Sequence, residues 1–149
     1  MQPSRSFDLS MRQVHVWTLR TKASSNVISR FEEVLAPDER SRAAQFRVSR
    51  PRESFILTRA ALRHLLGHYL GQNPASICLQ YGTNGKPALS HKSELRFNVT
   101  HSGDMAAIAL TQGCDVGIDL EQIRPTSVIT LKPAIRYQFK TGQRDWPKT

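Results

Sequence analysis

The sequence predicts an α+β domain in which helices come first and an antiparallel sheet follows. Three observations lead there: apolar residues at helical spacing between Val27 and Leu70, four short apolar runs beyond Asn73-Pro74, and glycine-bearing turns between those runs. At 149 residues the chain is about one domain long, enough to bury a single core.

Val14, Val16 and Thr18 alternate with His15, Trp17 and Leu19, the pattern of an opening strand covered on both faces. Val27, Ile28, Phe31, Val34 and Leu35 then fall at helical spacing. Pro37, Asp38 and Glu39 read as the first turn of a second helix, since proline needs no N–H there and acids favour that end of the dipole. The strongest helix is expected from about Arg52 to Leu70, with Phe55, Leu62, Leu65, Leu66 and Tyr69 on one side and Gly71 as its stop. Strands follow at Ile77–Tyr81, Leu95–Val99, Met105–Thr111 and Val116–Leu120, with turns at Gly82–Gly85, Ser102-Gly103 and Gly113. After Pro125 the pattern degrades. Lys132, Arg136, Lys140, Arg144 and Lys148 recur every four residues, but Pro133, Gly142 and Pro147 interrupt any helix, so residues 126–149 are expected to form a poorly ordered tail behind a domain spanning 1–125.

A formal charge of +9 implies an acidic partner. Nucleic acid is disfavoured, because no recognition motif is present and aromatic residues are only 7% of the chain. No stretch approaches the roughly 20 apolar residues of a membrane span, and Met1 to Ser10 lack the apolar run of a secretion signal, so a cytoplasmic location is expected. Asn98-Val99-Thr100 then matches a glycosylation acceptor by chance. Cys78 and Cys114 stand far apart with no metal-ligand spacing and are expected to pack as small apolar residues.

Three segments hold candidate chemistry. In Val116-Gly117-Ile118-Asp119-Leu120-Glu121, two acids stand two apart at the end of an apolar strand, so strand geometry points both to one face about 7 Å apart. Such a pair can clamp a hard cation that also takes substrate phosphates, or can simply be solvated where a strand leaves its sheet. Phe97-Asn98-Val99-Thr100-His101-Ser102-Gly103-Asp104 ends a strand in a polar turn where Thr100, His101 and backbone N–H groups could face a phosphate, although His101 could equally be bonded to nearby backbone. Asn84-Gly85-Lys86-Pro87 is first a turn, with Lys86 either a solvated charge or an ammonium aimed at phosphate. If these segments act together, Asp119 and Glu121 should face the same groove as His101.

The order Gly85-Lys86-Pro87, Phe97-Asn98-Val99-Thr100-His101-Ser102-Gly103, Val116-Gly117-Ile118-Asp119-Leu120-Glu121 and then Pro125 resembles the N-terminal half of Sfp-type 4'-phosphopantetheinyl transferases. Leu35-Ala36-Pro37-Asp38-Glu39-Arg40 and Thr58-Arg59-Ala60-Ala61-Leu62-Arg63 extend the resemblance over roughly Val14 to Pro125. It implies one of two similar α+β halves with coenzyme A in the cleft between them. It further implies Mg²⁺ ligation by Asp119 and Glu121, and contacts from Lys86, Pro87, Thr100 and His101 to the phosphates and the 3'-phosphoadenosine end. The chemistry would be transfer of phosphopantetheine to a serine of an acyl or peptidyl carrier protein, with His101, Asp119 and Glu121 as its catalytic group.

The chain departs from the family in two places. A basic residue that helps hold the 3'-phosphate would fall near Ser54, leaving Arg52 or Arg59 to substitute. The Trp-x-x-Lys-Glu-x-x-x-Lys motif of the family's second half, which supplies another metal-binding Glu and a proton-handling Lys, does not occur here. A shortened gene product, an expressed fragment or a frame-disrupted copy would each explain this. The implied chain is inactive alone and prone to self-association through its uncovered half-interface, and a coenzyme A or carrier-protein binding module without catalysis is the alternative.

Overall fold

The computed structural model describes residues 8–123 together with the backbone of a strand at Ile135–Gln138. Strand β1 (Val14–Arg20) leads into helices α1 (Ser25–Glu32), α2 (Pro37–Ala44) and α3 (Ser49–Leu70) and a short 3₁₀ turn at Pro74–Ser76. Strands β2 (Leu79–Tyr81), β3 (Pro87–Leu89), β4 (Leu95–Ser102), β5 (Met105–Gln112), β6 (Gly117–Leu120) and β7 (Ile135–Gln138) follow. The architecture is α+β, as expected, with β1-β5-β4 as an antiparallel sheet and two small antiparallel pairs, β2-β3 and β6-β7. The expected boundary at 125 and most of the tail lie outside the described residues; of that segment only β7 is described, paired with β6.

Strand β5 is central because its sequence is apolar on both faces. Ile108 and Leu110 point toward α3 and pack with Leu62 and Leu66, all at most 1% exposed. Ala107 and Ala109 on the other face are small enough to let Ile118 of β6 settle on the sheet, beside Val14 and Val16 of β1. The alternation read at β1 is thus real on both faces, with Trp17 and Leu19 packing on the α3 side.

Helix α3 begins at Ser49, three residues earlier than expected, because Pro51 sits in the first turn, where an N–H would have no intrahelical partner. Its apolar residues cover two sides rather than one: Leu62 and Leu66 face the sheet, whereas Ile56, Leu57 and Ala60 pack with Ile28 of α1 and Ala43 of α2. Gly71 closes it in the left-handed conformation at φ 62°, as its position suggested. In α2, Pro37 starts the helix and the Glu39 carboxylate accepts from the Ala36 N–H at 2.9 Å, half of a capping box. Strand β3 was not foreseen, since Pro87 reads as a turn residue; it opens a three-residue strand against β2. Both cysteines are exposed and free rather than packed, one just before β2 and the other in the turn after β5. No described helix is long and apolar enough to cross a membrane.

Candidate functional site

Alternation along β4 divides the functional residues between its two faces. Phe97 and Val99 turn toward α3 and the core, and His101 follows them on that side to line a cavity of about 670 Å³. The even-numbered residues turn the other way and hold β6. The Asn98 side chain accepts from the Ile118 N–H at 3.2 Å, Thr100 Oγ1 lies 3.5 Å from Asp119 Oδ1, and Ser102 Oγ accepts from the Gln122 N–H at 3.1 Å.

The cavity is cationic. Arg42 from α2, Arg50 and Arg59 from α3, Lys86 from the β2–β3 turn and His101 from β4 all line it, and no acid does among the described residues. Arg50 is tied to Asp104 in the β4–β5 turn and donates to the Thr21 carbonyl at 3.3 Å. Arg59 lies 3.5 Å from Glu39, whose carboxylate is 1% exposed and held at 2.6 Å by the equally buried Arg63. Three of the four buried side-chain polar atoms without a hydrogen-bond partner among the described residues belong to this lining: Thr21 Oγ1, Thr58 Oγ1 and Arg59 Nη1. These atoms are themselves closed to solvent, so the groups that face the hollow with charge are the cations named above, an arrangement suited to an anionic ligand.

Lys86 and Pro87 line the cavity, and Lys86 is presented by a tight turn closed by the Gly82 N–H on the Lys86 carbonyl at 3.0 Å. Gly85 within that turn has φ 69°, a conformation that favours glycine. Lys86 also lines a second, adjoining hollow of about 420 Å³ with Asn98 and Asp119. His101 and Asp119 therefore do not share one groove; they occupy neighbouring hollows on opposite sides of β4, with Lys86 common to both. Glu121 stands exposed one residue past the end of β6 and lines neither.

Arg59 lines the cavity but Arg52 does not, since it pairs instead with Glu32 at 2.6 Å. Sequence reasoning missed Arg42 and Arg50. The available signal was the spacing of Arg50, Ser54 and Thr58, four residues apart on one helical face, from which Arg52 is rotated by roughly 200°. Asp119 offers a hard oxygen donor beside the Thr100 hydroxyl and Glu121 an exposed one two residues on, and no group of three or more metal-ligating residues occurs among the described ones. This donor set fits a hard divalent ion that completes its shell with water and ligand phosphates.

Fold and site together define a small α+β domain with a cationic hollow suited to a polyanionic ligand and Asp119 in an adjoining hollow. A family model described as "4'-phosphopantetheinyl transferase, N-terminal" matches residues 20–113, and the chain belongs to that family. It is 36% identical over 118 residues to 4'-phosphopantetheinyl transferase HetI of Nostoc sp., covering 77% of this chain and 50% of the relative. It is 46% identical over 63 residues to 4'-phosphopantetheinyl transferase AcpT of Escherichia coli O157:H7, covering 42% and 31%. An L-aminoadipate-semialdehyde dehydrogenase-phosphopantetheinyl transferase of Pongo abelii is 33% identical over 102 residues, covering 62% and 33%. The chain thus spans about half the length of the first of these relatives, or less of the others.

Proposed function

We propose that this chain carries the coenzyme A-binding wall of a 4'-phosphopantetheinyl transferase, acting on a serine of an acyl or peptidyl carrier protein. The observation that supports the reading best is the cavity lined by Arg42, Arg50, Arg59, Lys86 and His101, joined through Lys86 to the hollow of Asp119. Coenzyme A carries a 3'-phosphate and a diphosphate; the cationic cavity suits the first directly, and the adjoining hollow, where Lys86 stands with Asp115 and Asp119, suits the second together with a bound cation. Arg42, Arg59 and His101 meet the 3'-phosphoadenosine end, and Lys86 bridges toward the diphosphate. Mg²⁺, held by Asp119 and Glu121, supplies charge neutralisation at the diphosphate when bound. The carrier serine oxygen forms a bond to the β-phosphorus as the diphosphate P–O bond breaks, releasing adenosine 3',5'-bisphosphate.

Transfer asks for more than binding: general acid–base assistance is worth about 10²–10⁴-fold, and positioning between two walls adds to that. Residues 1–149 contribute Asp119, Glu121 and His101 to it.

Calorimetry with adenosine 3',5'-bisphosphate tests the cavity, and coenzyme A with and without Mg²⁺ tests the carboxylate pair. Binding of both is expected, with the Mg²⁺ dependence for coenzyme A lost in Asp119→Ala. Absence of heat at millimolar ligand would refute the nucleotide site. Mass spectrometry of an apo carrier protein incubated with the chain, coenzyme A and Mg²⁺ reads transfer directly; transfer abolished by Asp119→Ala would show residues 1–149 to be sufficient, and binding without transfer would assign them the binding wall alone.

A further inference from the structure

We infer that Tyr81 is a positioning residue: through a cation–π clamp on Arg59 it fixes the turn that presents Lys86 to the cavity. The Arg59 guanidinium carbon lies 5.4 Å from the Phe55 ring centroid and 5.5 Å from that of Tyr81, so one cation joins a ring on α3 to a ring on the β2–β3 hairpin. The inner end of this link is anchored, because Arg59 is held toward Glu39, which Arg63 locks in place. At the outer end, Tyr81 is paired in register with Pro87, the residue after Lys86.

The hairpin needs such an anchor. Its two strands are three residues each and form a sheet of their own, separate from β1-β5-β4, and an isolated short hairpin is marginal in water. Leu89 is buried in the core at the far end of β3, but the turn end, Gly82 to Lys86, is exposed. Core packing does not account for Tyr81, whose side is 39% exposed. What the ring contributes is the contact to Arg59, and through it the distance between the turn and α3. A phenyl ring would serve as well as a phenol, whereas an aliphatic side chain of similar size would not.

The test compares Tyr81→Phe with Tyr81→Leu in the full chain. By amide hydrogen exchange, Tyr81→Leu should speed exchange across residues 82–88 about tenfold while leaving β4 and β5 unchanged, and Tyr81→Phe should match the parent. Unchanged exchange at 82–88 in Tyr81→Leu would overturn the clamp. A second readout rests on the nucleotide reading above: Tyr81→Leu should weaken adenosine 3',5'-bisphosphate binding about tenfold, and Lys86→Ala added to it should weaken binding little further, since both remove the same contact. Losses that multiply would show that Tyr81 does not act through Lys86. A parent chain that binds no nucleotide would refute the functional reading, and the exchange comparison would still decide the clamp.

Discussion

Replacing Arg63 by methionine tests the polar network on which the cavity wall rests. Arg63 is 1% exposed, and its guanidinium donates to Glu39 Oε2 at 2.6 Å, to the Pro74 carbonyl at 3.1 Å and to the Ile77 carbonyl at 2.9 Å. Methionine keeps most of the stem and removes every donor. Losing one partner of a buried ion pair costs about 3–5 kcal/mol, because the remaining charge stays desolvated. Glu39 retains the Ala36 N–H at 2.9 Å and Arg59 at 3.5 Å, which places the ion-pair loss at the lower end. Two carbonyls stripped of a donor add about 1 kcal/mol each, for about 5 kcal/mol in total. That is a large part of the 5–15 kcal/mol typical of a domain and corresponds to a fall in Tm of about 10–20 °C. Urea unfolding followed by circular dichroism reads this directly as a lower midpoint at unchanged slope. Adding Glu39→Gln should recover at least about 1 kcal/mol relative to the summed single losses, since the stranded charge is then gone. A single-variant loss under about 1 kcal/mol, or strict additivity in the double variant, would refute the assignment of this network as a buried, mutually dependent unit.

Two further outcomes are expected. Arg42→Ala should weaken adenosine 3',5'-bisphosphate binding about tenfold or more, by loss of a charge-assisted contact, whereas Arg52→Ala, on a residue paired with Glu32 outside the cavity, should change it less than twofold; equal effects in calorimetry would place the ligand elsewhere. Burial raises the Tyr69 phenol above its ordinary value near 10, against a smaller opposing effect of the Trp17 hydrogen bond. The unfolded chain then loses this proton first, so the stability Tyr69 contributes is complete below pH 10 and falls as pH rises through the higher folded value; urea midpoints between pH 8 and 11 should decline less steeply in Tyr69→Phe than in the parent.

The helices and strands β1, β2, β4, β5 and β6 could be read from the chain because each is set by local spacing and punctuation. Pro37 with Glu39 starts α2, Gly71 ends α3, and the apolar run Ala106 to Leu110 declares a strand buried on both faces. The residues of the site were legible as types but not as neighbours. Arg42 and Arg50 are two of 21 basic residues, and only the packing of α2 on α3 and the tie of Arg50 to Asp104 in the β4–β5 turn select them. The same limit explains why His101 and Asp119 were expected in one groove. Period-2 alternation fixes which face each residue takes on its own strand, but says nothing of how β6 lies on β4. Asn98, Thr100 and Ser102 settle that by reaching β6 from the face opposite His101. With the cationic cavity and Asp119 on opposite sides of one strand, a ligand that touches both must pass around the end of β4 or across the Lys86 turn. A coenzyme A molecule has the two separated anionic groups for that path, whereas a lone phosphate would occupy only one hollow. The position of Lys86, common to both, is therefore the geometric requirement on which the nucleotide reading depends most, and the hairpin anchor at Tyr81 and Arg59 is where a small structural change should reach both hollows at once.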